Sequence, residues 1–212
     1  MTTMDKKYEI TTQSIEWKGR KLFRIKAVKS FADVKVGDLG GYIENESNLS
    51  QDGTAWVSGD AKVYDTAMVF GDAKVFNNAE IYGNANVYDD ANVFGEAEVG
   101  DHANVKECAW VSGHAKVYGD TWVYGNAWVY NSAKIYGSAE VFNNAKVFGN
   151  AKVYNRAKVY GNSWIYGKAE IHDNARVYDA SDVYGNTSVC GKSRICGDTV
   201  IYDNALAGGQ SD

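Results

Sequence analysis

The residue types that carry chemistry are few in this chain: His102, His114 and His172, with the cysteines Cys108, Cys190 and Cys196. A histidine beside a hydroxyl or thiol can serve as the base of an acyl transfer. Several histidines or thiolates can hold zinc, provided every ligand lies within about 2.0–2.3 Å of the ion. Their placement argues against both. His102 and His114 occupy the same position of a sixfold pattern but lie two repeats apart, which sends them to different edges; His172 stands where most repeats carry an aromatic. No Ser-His-Asp set sits in a motif, and the glycines recur at turns instead of forming a phosphate loop. The cysteines form no CxxC pair, and their odd number fits a reducing compartment better than a disulfide scaffold. Cys190 and Cys196 fall on successive turns, beyond the roughly 4.4–6.8 Å Cα separation of a disulfide, and read as tyrosine replacements. The expectation is a chain with no catalytic residue, no metal site and no cofactor.

What positions these residues is a repeat of six. From Val57 to Ile201 every sixth residue is Val or Ile, 25 positions without a break. Two residues before each stands Ala in 19 cases and Ser or Thr in the other six. A strand alternates sides at every residue, so in the consensus Gly-Asn-Ala-x-Val-Tyr the Ala and Val share one face and x and Tyr the other. The x position holds Lys62, Glu80, Asn86, Lys152 and Arg176 among others. Such charges are rarely buried unpaired, so Ala and Val point inward. Gly-Asn and Asn-Asn pairs supply the corners, because they tolerate left-handed backbone angles. Short strand, corner, short strand, corner is an all-β parallel solenoid.

At 45% hydrophobic content the 212 residues can bury a core. No apolar run approaches the length of a membrane span, roughly 18 residues or more, and "MTTMDKKYEITT" has no signal-peptide core. A cytoplasmic location is expected. Residues 1–45 stand apart as a β-rich cap: "SIEWKGRKLFRIKAV" alternates around Lys18-Gly19 and predicts a β-hairpin. Residues 46–207 form the solenoid and 208–212 a C-terminal tail. The head is basic, with eight Lys/Arg against three acids in residues 1–30, and the remainder acidic, with 14 against 24. That contrast would favour association of one copy's head with another's rod, and it disfavours nucleic-acid binding along the rod.

Six residues per face, with one aliphatic and one small inward residue, resembles the hexapeptide repeat of the trimeric LpxA-like superfamily. The resemblance implies a left-handed β-helix of three faces, with three repeats to a coil and about eight coils. "GDLGGYIENESNLSQDGTAWV" (37–57), leading into the repeats, is similar to the YdcK-like hexapeptide-repeat proteins of bacteria and their phages. Acyltransferases of the superfamily use a histidine base at a subunit interface, commonly with a loop extruded from a coil, and no such loop interrupts residues 55–205. The γ-type carbonic anhydrases gather three histidines, whose spacing His102, His114 and His172 do not match.

The residue after each inward Val or Ile is Tyr or Phe at 18 of 25 positions. Residues three repeats apart share a column, so Tyr118, Tyr136 and Tyr154 make one ladder, and Tyr124 and Tyr130 start two more. Gly100, Lys106 and Ser112 interrupt all three. Just past that break Trp110, Trp122 and Trp128 take x positions; Trp110, Trp128, Trp56 and Trp164 share one outer column. Outward Trp and Tyr are enriched at interfaces. Partner-binding candidates are therefore Trp110, Trp122, Trp128, Tyr118, Tyr124, Tyr130 and Trp164. The expected function is a non-catalytic binding or scaffold protein, acting by self-association as a dimer or trimer or through a protein partner, in the manner of a phage accessory factor. An acyltransferase-like enzyme and a carbohydrate-binding module are the alternatives.

Overall fold

A computed structural model describes residues 6–208. Its core is a parallel β-solenoid of about nine turns. Three columns of two-residue strands run along it. Face 1 begins with Trp56–Val57 and ends with Val200–Ile201, face 2 runs from Lys62–Val63 to Leu206–Ala207, and face 3 from Met68–Val69 to Arg194–Ile195. Within the repeats each strand pairs with the one three repeats on, as Trp110 with Trp128 and Lys134 with Lys152, so no coil extrudes a loop.

The inward Ala and Val side chains are buried throughout, from Ala55 to Val189. Burying each Val contributes on the order of 1.5–3 kcal/mol. Coil-to-coil bonds such as Lys62 N–H to Ala79 O (2.9 Å) and Tyr64 N–H to Ile81 O (3.0 Å) satisfy the backbone. The corner residue after each outward aromatic has positive φ whether it is Gly125 (72°), Asn143 (58°) or Asp173 (59°), which is why that place is limited to Gly, Asn and Asp except at Glu107 (56°).

The expected eight coils become nine because both ends escape the strict period. At the start, Ile43 pairs with Val63 and Leu49 with Val69, each step two positions longer than the regular one. At the end, Leu206–Ala207 adds a strand whose inward residue is Ala. Except for Gly208, the expected tail at 208–212 lies outside the described residues.

The cap is the predicted hairpin: β1 (Tyr8–Trp17) pairs antiparallel with β2 (Arg20–Ala27) around Lys18 and Gly19, both at positive φ. β2 in turn pairs with β3 (Leu39–Ile43), which runs parallel to Lys62–Val63 and joins the hairpin to face 2. The Gly40-Gly41 pair is required by close approach, since a Cβ at Gly40 would collide with Ile25 and Val57 O, and one at Gly41 with Ala61 O. At the open end, carbonyls that a preceding coil would satisfy receive cap donors instead. Lys7 Nζ donates to Ala55 O at 2.8 Å and Asn48 Nδ2 to Ala67 O at 2.9 Å.

The basic head is engaged within the chain. Lys18 pairs with Glu80 at 2.7 Å, Arg24 with Asp60 at 3.2 Å, Lys6 with Glu46 at 2.7 Å, and Arg20 with both Glu44 and Asp65. The charge contrast read from the sequence thus fastens the cap to its own rod.

Candidate functional site

The outward residues of each face form two adjacent columns, the x residues and the aromatics that follow the inward Val. An aromatic leans toward the x residue of the next coil on its own face: Tyr64, Tyr124 and Tyr154 direct their hydroxyls to Glu80, Glu140 and Glu170 at 3.0, 3.4 and 3.1 Å. The rings stack between coils, with Tyr136 on Tyr154, Phe142 on Tyr160 and Tyr130 on Phe148 all at 4.8 Å between centroids. Leaning also explains Gly100, because a Cβ there would run into the ring of Tyr82.

Face 1 concentrates the apolar surface. Trp110 and Trp128 stack at 5.3 Å and 10°, Phe94 meets Trp110 edge-on at 5.7 Å, and Phe148 meets Trp164 edge-on at 6.3 Å. Lys146 Nζ lies over both Trp128 (5.3 Å) and Trp164 (4.7 Å). Of the seven candidates, Trp110, Trp128, Trp164 and Tyr130 come together here. Trp122 and Tyr124 lie on face 3, where Lys106 Nζ sits over both rings, and Tyr118 lies on face 2 under Tyr136. Trp122 follows Trp110 by two repeats instead of three, so the candidates divide by face as the spacing required.

The first rungs of the same columns are covered. Trp56 lies beneath Phe31 and Tyr8, both edge-on, at 5.4 and 6.4 Å. Lys74, one coil on, pairs with Asp33 at 3.1 Å. On face 2, Leu22, Ile15 and Trp17 of the hairpin pack on Tyr64 and Tyr82. Glu80 anchors this contact. Burial pushes its carboxyl up, but donors from Lys18, Tyr64 and Trp17 outweigh that and hold it below the usual 4.5. Burial lowers the ammonium of Lys7 to about 8, against the nearby charges of Asp52 and Asp72.

No protein-family model and no curated protein matches this chain.

The histidines are far apart in the fold. His114 pairs with Glu96 in solvent at 3.1 Å, and His102 meets Asn84 at 3.3 Å. His172 is different. It stacks under Tyr154 at 4.9 Å, places Nδ1 3.2 Å from Asp173 Oδ2, and places Nε2 3.1 Å from Ser188 Oγ. Spacing alone puts Cys190 one coil from His172, but the lean that carries an outward residue to the x residue of the next coil, as from Tyr154 to Glu170, shows only in the fold, and it is this lean that pairs His172 with Ser188. The order Asp-His-Ser is that of a hydrolase triad, yet the nearby amides of Cys190 and Gly191 already donate to Ala207 O and Asp173 Oδ2. They offer no donor to a developing oxyanion.

Proposed function

We propose that this chain is a non-catalytic protein-binding solenoid of the YdcK-like, hexapeptide-repeat kind, whose face 1 docks a segment of another chain, either a second copy or a different protein. The observation that carries this reading is the cap. Its turn at residues 30–34 lays Phe31 edge-on against Trp56 and sets Asp33 on Lys74. The same Trp-then-Lys order recurs in the same column as Trp128 and Lys146, left uncovered. A partner presenting an aromatic and a carboxylate two residues apart therefore has a matching surface, with buried aromatic area for affinity and the ion pair for register.

Sugar binding is less well supported. Trp128 is bracketed in its column by Trp110 and Lys146, so ring edges face outward, whereas a sugar stacks on a ring face.

The test joins light scattering behind size exclusion with indole NMR. An oligomer that Trp110→Ala/Trp128→Ala converts to folded monomer supports docking between copies. A cyclic peptide carrying Ser30–Val34 that shifts the indole signals of Trp110, Trp128 and Trp164, but not Trp56, supports docking of a foreign segment. A wild-type monomer whose indoles ignore the peptide would sink the proposal.

A further inference from the structure

His172, Asp173 and Cys190 place an imidazole nitrogen, a carboxylate oxygen and a thiol sulfur within 4.8 Å of one another, all three residues half-buried. This cluster lies on the corner after face 2, near the C-terminal end of the rod and away from the aromatic surface of face 1. We propose that it is a binding site for a borderline divalent cation of the zinc class, ligated by His172 Nδ1, a carboxylate oxygen of Asp173 and Cys190 Sγ, with the fourth position left to water.

Four observations support this. First, the ligand set is mixed N, O and S, the chemistry that zinc and cobalt accept and that hard cations such as magnesium do not. Second, a tetrahedral zinc site with bonds of about 2.0–2.3 Å has ligand-to-ligand edges of about 3.3–3.7 Å. The 3.2 Å from His172 Nδ1 to Asp173 Oδ2 already fits, and Cys190 Sγ stands within 4.8 Å of both ligand atoms.

Third, the ligands are held from behind. With the proton on Nε2, His172 donates to Ser188 Oγ at 3.1 Å and turns a bare Nδ1 toward the ion, the outer-shell arrangement common to metal-bound histidines. Asp173 accepts from Gly191 N–H at 3.1 Å and Asn155 Nδ2 at 3.0 Å. Fourth, the column makes room for the sulfur. The next residue along it is Gly208, where a Cβ would collide with Cys190 Sγ.

The fold supplies mild variants. The three rungs before His172 in this column, Tyr118, Tyr136 and Tyr154, are tyrosines, and other corners carry Asn at nearly the same positive φ, as at Asn143 and Asn155 (both 58°). His172→Tyr and Asp173→Asn therefore return each site to a residue the solenoid already uses, and Cys190→Ser changes one atom. The background for all is Cys108→Ser/Cys196→Ser, which leaves Cys190 as the only thiol.

The experiment is an optical titration with cobalt(II) followed by displacement with zinc. The expected result is one equivalent of cobalt, with the charge-transfer absorption of a thiolate ligand and the visible bands of tetrahedral geometry, both bleached by zinc. Cys190→Ser should abolish the charge-transfer band, and His172→Tyr and Asp173→Asn should each weaken binding by at least ~10-fold. Zinc should raise the melting temperature of the parent protein and leave that of Cys190→Ser unchanged. Absence of the thiolate band at excess cobalt, or affinity equal in parent and Cys190→Ser, would overturn the assignment.

Discussion

Trp56 and Trp128 stand in one column of one face, yet Trp56 is 7% exposed and Trp128 41%. The repeat gives both the same backbone, the same inward Val and a Lys one coil further on. What separates them is what lies on top. Trp56 is covered by Phe31 and Tyr8 of the cap, whereas Trp128 stacks on Trp110 and lies under Lys146, its neighbours in the column, and stays exposed. The outer aromatic column thus does two jobs. Near the cap it is core, joining a hairpin to the rod; further along it is exposed surface of the same composition, with Trp110, Trp128 and Trp164 uncovered among the described residues.

The largest test of this contrast is Trp56→Ala, expected to cost about 3–5 kcal/mol as a buried aromatic truncation, against less than about 1 kcal/mol for Trp128→Ala in the monomer. Chemical denaturation followed by circular dichroism reads both. Equal costs would mean that Trp56 contributes nothing through its cover.

Lys7 lies beneath the same cover, and burial lowers its ammonium to about 8 from 10.5. Between those values the unfolded chain holds the proton and the folded chain does not, so stability should rise with pH from about 8. The rise ends where unfolded tyrosines ionise near pH 10, because burial, then Glu80, pushes folded Tyr64 up to about 12. Lys7→Met should flatten the curve between pH 8 and 10 in denaturation at stepped pH.

Glu80→Gln weakens the second covered contact, where one carboxylate receives Lys18, Tyr64 and Trp17. The expected loss at neutral pH is about 1.5–3 kcal/mol. Its carboxyl is lowered in the folded state, so this contribution is present above the unfolded value of 4.5 and disappears as pH falls through the lower folded one. Acid unfolding should therefore be steeper in the parent than in the variant. The smallest effect belongs to Trp110→Ala, on the uncovered stretch, where stability should barely change while any association through face 1 is lost.

Much of the architecture is legible in the residues alone. Val or Ile at every sixth residue and the alternation of Ala-x-Val-Tyr assign inside and outside, and steps of three repeats place Trp110 beside Trp128 and Tyr136 beside Tyr154. These are local consequences, because a strand's side-chain period is two and a solenoid repeats its coil, so spacing along the chain is position in space. The coil count departs from expectation where spacing fails, at the lengthened pairings of Ile43 and Leu49.

The sequence by itself determined the solenoid, its inward core, its outer ladders and the hairpin at its head. Only the tertiary structure decided which rungs are covered: Phe31 reaches Trp56, Lys7 reaches Ala55 O and Trp17 reaches Glu80 across separations that follow no period. It also decided that His172, Asp173, Ser188 and Cys190 meet, because that depends on which way side chains lean across a coil boundary. Periodicity fixes where a side chain starts; packing against non-repeating neighbours fixes where it ends.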